Sequence, residues 1–425
     1  MCVCLSVFVG ALQVGKWHLG FYSPEYTPEF RGFQEHFGYY TGNEEYWNHT
    51  SPSWNGGNYT ALDFHRSNST HFEPLTNLSD QYSTIVFAEE IQRIIRSVAS
   101  APARSRPESA EAAESNGPSP FFIYAPFEAV HGASSCYVEG QPPNCNLPDG
   151  DELQAPQKYI DEQSHIPSKD RRTFAGMVGA LDEAVSNITA TLNETGLLEN
   201  TLIVFTTDNG APNPHFDGAT MSNYPLRAGK GTLWEGGIHG AAFVYGSAVG
   251  VPAGAQHAAL MHATDWIPTL AEAVGLELPE SYLSSIDGVS LWSSITNSTP
   301  VQINTTDWPG ILPEYGPRTE ILHNIDPSTN SSALRLGDYK LVVNIKNETW
   351  GPKLPPDSGA VPAAPVPLVG GKLTSLFNIA DDPQERHDLY NDPGHQRVVA
   401  QLENRLAAFQ QSAVPCRNPD PDPVS

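Results

Sequence analysis

The amino-acid sequence predicts an α/β fold in which a large, mainly parallel sheet lies between helices. Residues 120–125 (PFFIYA) and 201–206 (TLIVFT) are continuous apolar runs followed by polar residues, as in central strands that are covered on both faces. A helical pattern precedes each run, and the order helix, strand, helix, strand is typical of an α/β sandwich. We therefore expect both strands in one sheet.

Two helices are predicted from apolar residues that recur at helical spacing. The first precedes the strand at 120–125, and its apolar face is formed by Phe87, Ile91, Ile94, Ile95 and Val98. The second crosses over between the two strands, and its apolar face is formed by Phe174, Met177, Val178, Leu181, Val185, Ile188 and Leu192. Gly196 follows the second helix at a position where helices commonly end.

The pattern changes towards the C-terminus of the chain. Short strand-like pieces, including residues 333–345, precede a helix with one apolar face formed by Val398, Val399, Leu402, Leu406 and Phe409. We predict a large domain over residues 1–299 and a small α+β domain over residues 300–425. Residues 101–119 are rich in Ala, Ser, Pro and Glu and contain no large apolar residue, which predicts a surface loop.

The charge balance excludes some classes of partner. The formal net charge is −25, from 48 acidic and 23 basic residues. The electrostatic field of so many negative charges repels phosphate groups, which disfavours binding to nucleic acids or to anionic membranes. A polyanionic substrate therefore needs a locally positive pocket. No apolar run reaches the roughly 18 residues that a membrane-spanning helix needs, so no span is expected.

Asn-X-Ser/Thr sequons indicate a glycoprotein of the secretory pathway. They begin at Asn48, Asn58, Asn68, Asn77, Asn187, Asn193, Asn297, Asn304, Asn330 and Asn347. Cys136 and Cys145 flank a short loop and could pair in an oxidising compartment, while free thiols at all five cysteines are an equal alternative. The start of the chain lacks the basic region of a signal peptide, so we expect a missing N-terminal segment and a lysosomal or secreted full-length protein.

Two segments carry histidines that are candidates for proton transfer. In VGKWHLGFY, Lys16 and His18 are two residues apart, so an extended backbone would place an anion-binding cation beside a proton carrier. The alternative is an ordinary loop with Trp17 buried and Lys16 solvated. In FEAVHG, His131 follows the first predicted strand, where it would suit a general acid or an ordinary structural role.

Two further segments supply oxygen ligands and cations. In TTDNGA, Asp208 and Asn209 follow the second predicted strand, at the edge where α/β sheets bind ligands. Their hard oxygens suit calcium or magnesium, but two ligands are too few for a site, and Asp-Asn-Gly is also a common turn. In PLRAGKGTLWEGG, Arg227 and Lys230 lie in a glycine-rich loop that either brings cations close to an anionic group or is flexible and solvated.

Taken together, the order and spacing of these segments resemble the sulfatase family, and specifically its arylsulfatase B-like N-acetylgalactosamine-4-sulfatases. The matching blocks extend over most of the chain and are VGKWHLGFY with RGFQEHFGYYTGNEEYW, FAGMVGALDEAVSNIT, TTDNGA, PLRAGKGTLWEGGIHG, HATDWIPTL, EILHNIDP and LFNIADDPQERHDLY. The resemblance implies an alkaline-phosphatase-like sandwich, one bound calcium ion, and hydrolysis of the sulfate ester of a sulfated sugar or an aryl alcohol.

The same resemblance implies roles for individual residues. Those that look like calcium ligands are Asp208 and Asn209, and those that look like sulfate contacts are Lys16, His131 and Lys230. His131 would protonate the leaving alcohol, while His18 would assist the release of sulfate from the nucleophile. In physical terms, such a set is preorganised positive charge around a group whose oxygens gain charge in the transition state.

The sequence departs from the family at the nucleophile. In the family this is a formylglycine, which the formylglycine-generating enzyme makes from cysteine in a Cys-X-Pro-Ser-Arg motif. That motif surrounds none of the cysteines of this sequence, which are Cys2, Cys4, Cys136, Cys145 and Cys416. The paired aspartates that complete the family's calcium site are absent as well, and the resemblance starts at Val14. We therefore expect an N-terminally truncated sulfatase that is inactive as this chain.

Two other functions stay open. A catalytically inactive secreted glycoprotein that binds sulfated glycans would account for the missing nucleophile. A related phosphodiesterase or phosphatase would share the sheet and the metal-binding strand end, but such enzymes generally bind two transition-metal ions through further His and Asp ligands. The set of Lys16, His18, His131 and Lys230 favours sulfate over that last alternative.

Overall fold

The protein is described here from a computed structural model, which covers residues 10–52, 60–101, 120–133, 153–212, 221–246, 249–298, 316–351 and 371–414. These residues form two compact units, the first up to Glu199 and the second from Asn200 onward. The domain boundary predicted near residue 300 falls outside the described residues and stays a prediction.

The first unit is built on a mixed sheet. Its strands are β1 (Ala11–Lys16), β2 (Glu35–Tyr39), β3 (Thr50–Pro52), β4 (Thr60–Leu62), β5 (His65–Asn68), β6 (His71–Pro74) and β7 (Phe122–Tyr124). Five of them form one sheet in the order β6-β5-β2-β1-β7, whereas β3 and β4 pair separately. β1 is parallel to both β2 and β7, so these three strands end at the same edge of the sheet.

The helices of the first unit are α1 (Ser83–Ser100), α2 (Gln157–Glu162) and α3 (Lys169–Glu194). Both predicted helices are confirmed. The buried face of α1 includes Phe87, Ile91, Ile94 and Ile95. The long helix α3 buries Met177 and Leu192, but its Val178 is 44% exposed because it lies beside, rather than on, the buried stripe. Gly196 follows α3 with φ of 71°, the left-handed conformation that ends many helices.

The second unit begins with the strand that was expected to share a sheet with β7. This strand, β8 (Ile203–Thr206), instead pairs antiparallel with β9 (Ala242–Tyr245). The expectation of one sheet for both apolar runs is therefore wrong for the described residues. An apolar run specifies a strand but not its partner, and Phe205 of β8 here stacks on Phe243 of β9 with ring centroids 5.2 Å apart. The short helices of this unit are α4 (Glu235–Ile238), α5 (Trp266–Ala273), α6 (Glu280–Leu283) and α7 (Trp292–Thr296).

An antiparallel sheet and a helix form the C-terminal part of the second unit, as the sequence predicts. The strands are β10 (Glu320–Asp326), β11 (Ser331–Leu336), β12 (Tyr339–Lys346) and β13 (Lys372–Asn378), and the helix is α8 (Gln396–Ser412). The strand-like piece at 333–345 is thus a hairpin of β11 and β12. The two faces of the sheet bury separate clusters, since α8 packs with Leu341 on one face and Trp234 packs with Val342 on the other.

Membrane insertion is not supported by the helices. None of those in the described ranges combines the length and the apolar character needed to cross a bilayer.

Candidate functional site

Lys16 is the last residue of β1 and lies beside the segment that follows β7. Its backbone N–H donates to the carbonyl of Pro126 at 2.9 Å, and its carbonyl accepts from the side-chain amide of Gln13 at 2.9 Å. These bonds continue the parallel pairing of β1 with β7 beyond the last strand residues. The side chain of Lys16 is partly buried, and its charge acts on the buried carboxyl of Glu128.

His18 follows in a left-handed conformation, with φ of 50°. The extended backbone assumed for Lys16 and His18 is therefore wrong at His18, because the strand ends at Lys16. The imidazole of His18 is exposed and rests on Gly42, where a Cβ atom would lie only 2.7 Å from Nε2. Trp17 is buried, and its indole N–H donates to the carbonyls of Gly20 and Tyr26.

His131 lies in the loop that follows β7, and β7 is the strand that pairs with β1 in the sheet. Its Nδ1 lies 2.8 Å from the carbonyl of Gly132, and because a carbonyl only accepts, Nδ1 carries the proton. The backbone of His131 is held by the carbonyl of Glu128 at 2.9 Å and by the Tyr46 hydroxyl at 2.8 Å. Lys16 and His18 thus lie at or just after the end of β1, and His131 lies in the loop that follows β7, whose end is at the same edge of the sheet.

Asp208 and Asn209 come directly after β8, as predicted. Asp208 is exposed, and the side-chain N–H of Asn209 donates to the carbonyl of Gly210 at 2.8 Å. The turn is possible only with glycine at position 210, because a Cβ atom there would lie 1.8 Å from the carbonyl oxygen of Gly236. This close approach packs the turn against α4.

Lys230 lies beside that turn in the second unit. Its backbone N–H donates to the carbonyl of Ala211 at 2.9 Å. The Asn223 side chain joins the two segments, since its amide donates to the carbonyls of Ala211 and Ala228 and its oxygen accepts from the Ala211 N–H. Asn223 escaped the sequence analysis because a lone asparagine between polar residues has no distinctive pattern.

Arg227 does not reach an anionic ligand. Its side chain is only 6% exposed, and its guanidinium lies between the rings of Trp234 and Trp350, at 3.6 Å and 4.6 Å from their centroids. It donates to the carbonyls of Glu348 and Glu385 and to Oδ1 of Asn347. Burial lowers the pKa of Arg227 to about 10. Both readings of this residue from the sequence, an anion binder and a solvated cation, are therefore wrong.

A buried ion triad anchors the same loop to the C-terminal sheet. Lys340 of β12 donates to Glu235 of α4 and to Glu385, at 2.8 Å each, and all three side chains are buried. Burial alone would lower the pKa of Lys340, but the two carboxylates hold it above its ordinary value. The sequence analysis missed this triad, although Lys340 stands among the apolar residues of β12, where a lysine is unusual.

The donor chemistry of Asp208 and Asn209 fits calcium, because both offer hard oxygens. Within the described ranges no cluster of three or more His, Cys, Asp or Glu side chains has the geometry of a metal site. The two residues therefore fit calcium in type of ligand but not in number.

The sequons are mostly accessible in the folded chain. Those with an exposed asparagine are Asn48, Asn77, Asn187, Asn193, Asn297 and Asn330. Asn68 and Asn347 are half-buried, and Asn347 is already the acceptor for Arg227. Asn58, Asn304 and all five cysteines, including the possible pair Cys136 and Cys145, lie outside the described residues.

Comparisons with solved structures support the fold. The chain superposes on the PsFucS1 sulfatase from Pseudoalteromonas sp. with a TM-score of 0.62 at 21% identity, covering 96% of this chain and 71% of that one. Ps i-CgsB in complex with k-i-k-neocarrahexaose gives a TM-score of 0.62 at 22% identity, covering 95% and 71%. At this identity the likeness shows the fold alone, which confirms the alkaline-phosphatase-like class.

Comparisons at the level of sequence give the family. Arylsulfatase J of Mus musculus is 31% identical over 438 residues, which cover 97% of this chain and 62% of that protein. The chain thus spans less than two thirds of the length of this relative. The family model described as Sulfatase matches residues 10–276, which is more than half of the sequence. The chain belongs to the sulfatase family.

Proposed function

We propose that this chain is the larger part of a sulfuric ester hydrolase that removes sulfate from a sulfated sugar or an aryl ester. The observation that carries the proposal is the grouping of Lys16, His18 and His131 at the ends of the parallel strands β1 and β7. A cation and two imidazoles at one sheet edge can hold a sulfate ester and transfer a proton to its leaving oxygen.

In the first unit, the Lys16 ammonium would bind the sulfate oxygens. His131, fixed by its Nδ1 bond to Gly132, would act as an imidazolium that is protonated on both nitrogens, and would deliver the Nε2 proton to the leaving alcohol. His18, exposed beside Gly42, would take part in releasing sulfate from the nucleophile. In the second unit, Lys230 would bind sulfate oxygens, and its backbone is fixed next to the Asp208 turn.

Asp208 and Asn209 would hold a calcium ion through a carboxylate and an amide oxygen. When bound, calcium would neutralise charge on the sulfate group. Further ligands are required, because calcium takes about six to eight oxygens.

The finer subtype that we propose is arylsulfatase B-like, N-terminally truncated in this sequence, with the formylglycine motif in a preceding segment. The formylglycine-generating enzyme would then act on the full-length form. The exposed sequon asparagines support a lysosomal or secreted glycoprotein. The neocarrahexaose bound by one structural neighbour supports a sulfated glycan as the substrate class.

Binding of inorganic sulfate to the 425-residue chain tests the proposal without requiring turnover. Calorimetry should give binding that weakens at least about tenfold in Lys16→Ala and in His131→Ala, because each removes a charged or hydrogen-bonding contact to the anion. Lys158→Ala is the matched control, since its ammonium is exposed and pairs with Glu183 on α3. Equal affinities in all four proteins would contradict the assignment.

The alternative function is a catalytically inactive glycoprotein that binds sulfated glycans. It is favoured by the absence of a Cys-X-Pro-Ser-Arg motif from the sequence. Hydrolysis of 4-nitrophenyl sulfate by this purified chain, abolished by His131→Ala, would reject this alternative.

A further inference from the structure

Two buried acidic residues, Glu44 and Glu128, are joined by a hydrogen bond at the loop that carries His131. Glu44 is 0% exposed and Glu128 is 3% exposed, although they are 84 residues apart in the sequence. The backbone N–H of Glu44 donates to Oε1 of Glu128 at 2.9 Å. Within the described part of the chain, the other three carboxyl oxygens of the pair accept no hydrogen bond. A buried carboxylate without donors is strongly unfavourable, so this arrangement requires protonation.

The charges around the pair reinforce that requirement. The acidic and titratable groups that act on Glu44 or Glu128 are Glu45, Asp63, His49, Tyr39, Tyr46, Tyr82 and Lys16. His49 lies 3.7 Å from Glu44, but burial lowers its pKa, so at neutral pH it is an uncharged imidazole that forms no ion pair. The positive charge in this set at neutral pH is that of Lys16.

The pair is connected through backbone hydrogen bonds to Lys16 and His131, two of the candidate residues of the first unit. The carbonyl of Glu128 accepts from the backbone N–H of His131, and the Tyr46 hydroxyl, two residues after Glu44, donates to the carbonyl of His131. The N–H of Lys16 binds Pro126, two residues before Glu128. Any separation of the two carboxyls therefore pulls on the backbone of His131 and on the segment beside Lys16.

We propose that Glu44 and Glu128 together carry at most one negative charge at neutral pH, and that Glu128 is a positioning residue for His131 and Lys16. The positioning role rests on the proposed sulfate-ester chemistry, whereas the shared charge state does not. While Glu128 is protonated, the His131 loop keeps its position. When that proton leaves to solvent, the buried Glu128 carboxylate beside the acidic Glu44 becomes unfavourable in place and displaces the His131 loop.

The pH at which the His131 loop is displaced follows from the surroundings of Glu128. Burial raises the pKa of Glu128 to about 8, even though the Glu44 N–H and the Lys16 charge act in the opposite direction. Burial and the nearby charge of Glu128 also raise the pKa of Glu44 well above its ordinary value. Displacement of the loop is therefore expected near the upper end of the physiological pH range.

The test follows the backbone amide resonance of His131 in the 425-residue chain labelled with 15N-histidine, assigned by its loss in His131→Ala. Over roughly pH 5.5 to 9.5 the unsubstituted chain should show an inflection near pH 8 beyond the imidazole's own titration. Glu128→Gln keeps the acceptor for the Glu44 N–H but cannot ionise, so it should lack this inflection. Glu44→Gln leaves Glu128 able to ionise, so the inflection should remain in that variant. Glu183→Gln, an exposed carboxyl of α3, is the control that should leave it unchanged.

Sulfate affinity, measured in parallel, separates the claim about the charge state of Glu44 and Glu128 from the claim that Glu128 positions His131 and Lys16. We expect the unsubstituted chain to lose about tenfold in affinity between about pH 7 and pH 9, and Glu128→Gln to change by about twofold or less. Identical His131 titrations in the unsubstituted chain and Glu128→Gln would overturn the inference, whatever the binding result. No sulfate binding at any pH, with the His131 inflection present, would uphold the shared charge state and overturn the proposed function and, with it, the positioning role.

Discussion

Replacing Lys340 by methionine tests how the C-terminal sheet supports the loop of Lys230. Methionine fills nearly the same volume, so the cavity contribution is small and the change is mainly electrostatic. In the native protein, burial would raise the pKa of Glu235, but the charge of Lys340 holds it well below its ordinary value. Without that charge, the two buried carboxyl groups of Glu235 and Glu385 lose the cation that they share, while Glu235 keeps its contact with the His239 imidazole. Breaking a buried ion pair in this way lowers the free energy of unfolding by about 3–5 kcal/mol, which corresponds to a decrease in Tm of the order of 10 °C.

The pH dependence of this loss distinguishes electrostatics from packing. A depressed pKa contributes stability above the unfolded-state value and loses it as pH falls. In Lys340→Met the stabilisation from the lowered pKa of Glu235 disappears. Glu235 and Glu385 are then protonated in the folded state, and the folded state loses free energy of unfolding as pH rises through about 5 to 8, because the unfolded chain ionises more easily. The Tm difference from the native protein should therefore be larger at about pH 8 than at about pH 5. Adding Glu235→Gln and Glu385→Gln should restore part of the loss, and an equal Tm difference at both pH values would refute the reasoning.

Three further substitutions probe the second unit, each with calorimetric melting or sulfate binding as the measurement. Arg227→Lys should lower stability by about 3 kcal/mol, because lysine cannot stack on two indole rings and reach three acceptors at once; an unchanged Tm would contradict this. Gly210→Ala should prevent a native melt, because its Cβ would overlap the carbonyl of Gly236. Asn223→Ala should weaken sulfate binding about tenfold, because three hydrogen bonds hold the Lys230 segment beside the Asp208 turn. Sulfate binding equal to that of Ser222→Ala, a control at the half-buried neighbouring residue, would show that these three bonds are dispensable.

The helices were predictable because helical spacing is a local property. The apolar stripes of α1 and α8 are visible in the sequence and largely coincide with the faces that the structure buries, whereas in α3 only Met177 and Leu192 of the predicted stripe are buried. The pairing of β8 was not predictable, since its apolar run suits a parallel or an antiparallel neighbour equally well. The resemblance supplied the candidate residues, but the local argument for Lys16 and His18 failed where the backbone turns at His18.

Residues that act through distant partners were the least visible in the sequence. The sequence analysis placed Arg227 with Lys230 in a glycine-rich loop that either presents cations to an anionic group or is flexible and solvated. Its environment is set instead by Trp350 and Glu385, which are more than a hundred residues later. Glu44 and Glu128 likewise gain their significance only from tertiary proximity, which composition and spacing do not encode.

The long-range anchoring of Arg227 also affects how the protein is made. Arg227 Nη1 donates to the carbonyl of Glu385 across 158 residues. At about 5–20 residues per second, a ribosome needs roughly 8 to 30 seconds between the two positions. During that interval Trp234 and the Arg227 guanidinium have no C-terminal sheet to pack against. The loop of Lys230 therefore reaches its native packing only after β13 and Glu385 have been synthesised.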